Sequence, residues 1–236
     1  MNAKTLLVRP RAAQMLPPLI FATVVCAAML GARWAHTGAL RLTGLFGNLL
    51  LAWIPMVFAL LVGQLHSAAV PRRGLFWFCA VCWFLFFPNA PYIVTDLIHL
   101  KKYGLDGVPK WFDLIVIMAH ACAGLFLGCL SLYLVELLVR ERFGRRIGWA
   151  FAVGMLALGS FGIYLGRFAR LNSWDVVVRP TKLWGDVAAL AHPMKVGEVL
   201  AFSLTFFFFS LAAYWFVAAA LRVHTPGGEI AGRELS

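Results

Sequence analysis

Acidic side chains are scarce in this chain: ten Asp and Glu stand among 236 residues, and charged residues of both signs make up only 13%. Soluble domains carry about 25%, so a soluble or intrinsically disordered chain is excluded. No glycine-rich phosphate loop, Walker motif or dinucleotide fingerprint is present. An ATP-driven or NAD-linked mechanism therefore has no support, and no cofactor is expected. Neither H-x-x-x-H nor H-E-x-x-H spacing occurs, and no metal site is expected either. The five cysteines, Cys26, Cys79, Cys82, Cys122 and Cys129, all fall in apolar runs and read as small packing residues. The C-x-x-C at Cys79 and Cys82 lacks the strand and helix context of a redox motif.

What is abundant is apolar: 62% of the residues, with a mean hydropathy of +0.82. A transmembrane helix needs about 20 mostly apolar residues to cross a hydrocarbon core of about 30 Å. Six such runs are predicted, over 16–32, 45–65, 75–87, 114–139, 147–165 and 199–223. The expected fold is all-α, a polytopic membrane helix bundle forming one multi-pass domain, with short tails at 1–15 and 224–236. Lys4, Arg9 and Arg11 ahead of the first run also fit a signal peptide, although no clean small-x-small cleavage site precedes Arg33. The net charge of +11 then reports topology and contact with membrane lipids, and nucleic acid is not expected as a partner. With the N-terminus inside, eleven Lys and Arg fall inside and ten outside. The compact clusters Arg72-Arg73 and Arg140 to Arg146 favour cytoplasmic termini. Helix parity puts the connections after the third and fifth runs on one common face.

Those two connections hold the polar residues that are hardest to explain. Pro88 and Pro91 should break the third helix, which restarts near Tyr92. From there Tyr92, Asp96, His99 and Tyr103 fall at spacings of four, three and four, on one helical face. A broken helix at membrane depth is tolerated only against protein or a water-filled cavity. One reading has Asn89 and Thr95 cap the restart while Asp96 and His99 pair with each other. The other presents the carboxylate and imidazole of Asp96 and His99 as catalytic candidates for proton transfer or for holding a cation. In the second connection Arg167 and Arg170 lie three apart at a helix end, where forked donors suit phosphate or carboxylate groups. Asn172, Ser173, Trp174 and Asp175 follow at once. With Asn89, Tyr92 and Thr95 they complete a candidate ligand-binding set; the plain alternative is snorkelling to headgroups with Arg–Asp175 pairing.

Glycines at 159, 162 and 166 form a stripe that admits a close helix neighbour, in the chain, in a homo-oligomer or in a membrane partner. Gly124 and Gly128 offer a similar pair. His120 and Glu136 are ionisable residues inside the fourth run, a functional hypothesis by default. Glu136, near the cytoplasmic end, can pair with Arg140 four residues on. Trp34, Trp77, Trp111, Trp149, Trp174 and Trp184 sit near predicted helix ends, as interfacial belts do.

The strings Phe86-Phe87-Pro88-Asn89-Ala90-Pro91-Tyr92-Ile93-Val94-Thr95-Asp96-Leu97-Ile98-His99-Leu100, Trp111-Phe112-Asp113-Leu114, Gly162-Ile163-Tyr164-Leu165-Gly166-Arg167-Phe168 and Asn172-Ser173-Trp174-Asp175 resemble the bacterial membrane proteins of domain-of-unknown-function family 1361. The resemblance covers about 45–216 and implies a multi-pass protein of a bacterial inner membrane, with no activity to carry over. Three functional classes stay open. One is a membrane-embedded binding site or enzyme in which Arg167 and Arg170 hold an anionic lipid- or phosphate-like group beside Asp96 and His99. The second is a small-solute or proton-coupled transporter or channel, weakened by the lack of an internal repeat. The third is a non-catalytic accessory subunit.

Overall fold

In a computed structural model, residues 5–40, 42–68, 72–102, 107–170 and 193–223 are described, together with Val178, Pro180, Thr181 and Gly185. The described residues form helices and the short connections between them, with no strand. Helices run α1 Thr5–Thr37, α2 Thr43–His66, α3 Arg73–Phe86, a single turn α4 Asn89–Tyr92, a 3₁₀ helix Ile93–Lys102, α5 Lys110–Phe143, α6 Arg145–Phe168 and α7 Pro193–Val223. Six segments are long and apolar enough to cross a membrane: Gln14–Thr37, Thr43–His66, Arg73–Ile98, Lys110–Phe143, Arg145–Phe168 and Val196–Leu221. The chain is a multi-pass membrane protein.

Each helix extends beyond its apolar run, most of all α1 and α5. Hydropathy marks only what lies in hydrocarbon, whereas the backbone ladder continues through the polar headgroup layer. The third span differs in kind. Its apolar run ends at Phe87, and α3 alone has 14 residues, about 21 Å at 1.5 Å per residue. That is too short to cross. The prolines bend the path without ending the span, because α4 and most of the 3₁₀ helix complete it. Pro88 and Pro91 therefore sit at membrane depth, and what reads as a loop after helix three is the rest of the span.

The α5 helix is the axis of the bundle. Its residues from Leu127 to Glu136 are buried without interruption, as an all-round apolar helix must be. It packs against α1, α2, α4, the 3₁₀ helix, α6 and α7. The α3 helix lies outside α2, joined by a small apolar cluster of Val62, Cys79 and Leu138. Between α1 and α2, the Trp53 indole donates to the Thr23 hydroxyl at 3.0 Å.

Glycines explain how the broken span fits. A Cβ on Gly124 would stand 2.5 Å from the Ala90 carbonyl oxygen, and one on Gly128 would stand 3.1 Å from the Pro91 ring. On α6, Gly159 faces Phe87 and Gly162 faces Pro88, with a Cβ at 3.0 Å and 3.1 Å respectively. Gly159 and Gly162 are thus filled from within the chain. The proline turn takes the space that these small residues leave for a close neighbour.

Candidate functional site

The centre of polar contact at one end of the bundle is Arg167, in the last turn of α6. Its Nη1 donates to Asp96 Oδ1 at 2.9 Å and to the Tyr92 hydroxyl at 3.3 Å, and its Nη2 donates to the Thr95 carbonyl at 2.9 Å. The guanidinium also lies over the Tyr92 ring, 5.7 Å from its centroid, a cation–π distance. Asn48, in the second turn of α2, donates from Nδ2 to the other carboxylate oxygen of Asp96 at 2.9 Å. The Arg167 and Asp96 side chains are each only 10% exposed. Three elements distant in sequence thus converge on one partly buried ion pair.

The backbone of the third span makes this possible. From Ile93 the chain is 3₁₀, with three residues per turn, so residues three apart eclipse. Asp96 and His99 share one backbone edge in that register. The spacing of four that would align Tyr92 with Asp96 on an α-helix does not hold there, and Arg167 joins the two instead. Thr95 turns its hydroxyl back to the Tyr92 carbonyl at 2.7 Å and does not cap a restart, and α4 begins at Asn89 with no side-chain cap from Pro88. The His99 side chain lies outside the described residues, as do Tyr103, Asn172, Ser173, Trp174 and Asp175.

Arg170 parts company with Arg167. The α6 helix stops at Phe168, and Arg170 adopts a left-handed backbone with φ of 54°. The helical face that a spacing of three implies is gone by then. Arg170 is exposed, while Arg167 is turned into the protein.

A guanidinium carries five N–H donors. Arg167 commits three of them among the described residues, and its remaining donors, Nε–H among them, have no protein partner among the described residues. What the centre can do chemically is hold a forked acceptor while Asp96, fixed by Asn48, balances the charge.

Two further buried polar groups lie along α5. At the same end, Arg33 of α1 donates from Nε to Asp113 Oδ1 at 2.7 Å and from Nη2 to Oδ2 at 3.3 Å, with side chains 1% and 0% exposed. At the opposite end, Glu136 accepts from the Tyr214 hydroxyl of α7 at 2.5 Å and pairs with Arg140 at 3.6 Å. The i,i+4 pairing of Glu136 was legible in sequence; Tyr214 was not. Asn48 and the Arg33–Asp113 pair were missed as well. Partners 48 and 80 residues apart leave no spacing signal, although a charge at each end of two apolar runs was visible. Among the described residues no group of three or more His, Cys, Asp and Glu is placed to hold a metal.

A family model described as "Protein of unknown function (DUF1361)" matches residues 48–213, well over half of the chain. The chain belongs to this family. The match takes in Asn48, Asp96, Asp113 and Arg167 and leaves out Arg33 and Tyr214. No curated protein and no solved structure matches the chain.

Proposed function

We propose that this DUF1361 protein binds an anionic, phosphate-bearing ligand at the membrane face where Arg167, Asp96 and Arg170 lie. The observation that carries the reading is the state of Arg167: partly buried, with only some of its donors committed to acceptors among the described residues, and next to an exposed Arg170 held in a strained backbone. Strain of that kind costs about 1–3 kcal/mol and gathers at ligand sites. Asp96 fixes the guanidinium, Tyr92 backs its plane, and the remaining fork faces the ligand. Asp96 and His99, one 3₁₀ turn apart, are the groups placed for acid–base work on what is bound. Asn89, Asn172, Ser173, Trp174 and Asp175 complete the proposed set. We place the site on the outer face of a bacterial inner membrane with both termini cytoplasmic, because the compact arginine clusters then lie inside.

A second reading is a proton-coupled transporter, favoured by one observation: a non-α segment at membrane depth, where discontinuous helices form transport sites. Binding measurements separate the two. Purified protein in detergent is titrated with phosphatidylglycerol, with phosphatidylcholine and with inorganic phosphate, and bound species are counted by native mass spectrometry. The anion reading predicts phosphatidylglycerol bound at least about tenfold more tightly than phosphatidylcholine, the worth of one charge-assisted hydrogen bond. Equal binding of the two lipids and no binding of phosphate would remove it. Phosphate binding without lipid selectivity would make the ligand a soluble phosphate ester.

A further inference from the structure

Arg167 keeps two hydrogen-bond donors that no acceptor takes up among the described residues. Its Nη1 gives one hydrogen to Asp96 and the other to the Tyr92 hydroxyl, and its Nη2 gives one to the Thr95 carbonyl. Of the five N–H donors of a guanidinium, Nε–H and the second hydrogen of Nη2 are left. Donors on adjacent guanidinium nitrogens match two oxygens of one acceptor group. A phosphodiester offers two free oxygens and carries one negative charge. A phosphomonoester has three oxygens and, above its second pKa of about 6, close to two charges.

The charge beside those donors is already balanced once. Asp96 Oδ1 stands 2.9 Å from Arg167 Nη1, with both side chains only 10% exposed. Asp96 Oδ2 accepts from the Asn48 amide at 2.9 Å, so the carboxylate is held from two sides. The other buried charges of this end, Arg33 and Asp113, are closed on each other. Lys110 and Glu198 are exposed, where water and salt screen them. Arg170, exposed just past the end of α6, adds one positive charge with no carboxylate bonded to it among the described residues. A single negative charge on the ligand completes that balance. A second would meet the fixed Asp96 carboxylate at short range, and like charges so placed repel.

We infer that Asp96 determines specificity by setting the charge of the ligand, so that the site takes a singly charged phosphodiester and disfavours a doubly charged phosphomonoester. This rests on the anion reading proposed above and names the ligand class within it. The same diester group occurs in a glycerophospholipid headgroup and in a soluble diester, and the donors of Arg167 suit both.

The test compares ligands that differ in charge. Purified protein in detergent at about pH 8, where a phosphomonoester is doubly charged, is titrated with phosphatidylglycerol, phosphatidic acid and phosphatidylcholine, and with dimethyl phosphate and methyl phosphate as soluble counterparts. The inference predicts phosphatidylglycerol bound about tenfold more tightly than phosphatidic acid, the order of effect of one extra charge near a carboxylate at a partly wet site. In Asp96→Asn, which keeps the shape and an acceptor oxygen for Arg167, that preference is lost or inverts. A merely structural role for Asp96 would weaken both lipids together and leave their ratio unchanged, so an unchanged ratio in the folded variant overturns the inference. If Asp96→Asn does not fold, the wild type decides: at about pH 5 phosphatidic acid is singly charged, and its affinity should rise to that of phosphatidylglycerol. A gap that acid leaves as it was overturns the inference too. Phosphatidic acid bound as tightly as phosphatidylglycerol at the higher pH, both above phosphatidylcholine, overturns it and leaves the anion site standing. Neither anionic lipid bound above phosphatidylcholine, with no soluble phosphate bound, removes the site and the inference together. Dimethyl phosphate bound in preference to methyl phosphate, without selectivity among lipids, supports the inference with a soluble diester as the ligand.

Discussion

Arg33 and Asp113 form a bidentate pair with side chains 1% and 0% exposed, so its geometry has to offset the loss of water around both charges. Desolvating two charges costs several kcal/mol each, so removing one partner leaves an uncompensated ion and destabilises by about 3–5 kcal/mol, whereas replacing both with apolar residues of like volume is close to neutral. Arg33→Met alone is therefore expected to lower the thermal unfolding midpoint in detergent sharply, and the double variant Arg33→Met with Asp113→Leu to recover most of it. A double variant as unstable as the single one would mean that the charges contribute more than their pairing. In sequence Arg33 reads as the flank of an apolar run and Asp113 as a helix-start acid, and neither residue names the other. Asn48 is the same case: a lone amide at the start of an apolar run becomes meaningful only when the third span brings Asp96 within 2.9 Å of it. Pairing between distant residues is a property of packing, and pattern within one segment cannot show it.

The third span is where local pattern and tertiary structure disagree most. Proline chemistry predicts a break at Pro88 to Pro91, and α3 does end at Phe86. The apolar content past the break, Ile93, Val94, Leu97 and Ile98, still carries the chain to the membrane face as a 3₁₀ helix of ten residues. Such runs exceed the usual three or four and need support from outside. Glycines 124, 128, 159 and 162 supply that support by letting Phe87 through Pro91 approach closely. Their spacing was legible as small-residue stripes, but their partner was not, since a stripe does not say which element fills it. Gly124→Ala puts a methyl against the Ala90 carbonyl, a backbone atom that cannot swing aside. We expect it to cost about 1–3 kcal/mol, as overpacking does. Gly154→Ala, on the same α6 that carries Gly159 but with nothing within 4 Å of its Cβ, should be neutral or stabilising by up to about 1 kcal/mol through helix propensity. Comparing the two unfolding midpoints checks the cradle; equal effects would refute it.

Among the described residues, the ion pairs gather at two ends of the bundle. One end holds Arg33, Asn48, Asp96, Asp113, Arg167 and Arg170, and the other holds Glu136, Arg140 and Tyr214. Parity of the helices predicted that the connections after the third and fifth runs share a face, and the 2.9 Å contact between Asp96 and Arg167 shows them joined. The spacing of Arg167 and Arg170, by contrast, implied a shared side that the end of α6 at Phe168 abolishes. That separation creates a division of labour: Arg167 is anchored on Asp96, and Arg170 is exposed. The most direct measurement is therefore phosphatidylglycerol affinity alongside unfolding midpoint for Arg170→Ala. Substitution of an exposed residue away from packing shifts stability by no more than about 0.5 kcal/mol, while loss of a charge-assisted contact weakens binding about tenfold or more. If Arg170 holds the anion, the midpoint stays unchanged while affinity falls by that amount; wild-type affinity in the folded variant would show that Arg170 takes no part in binding.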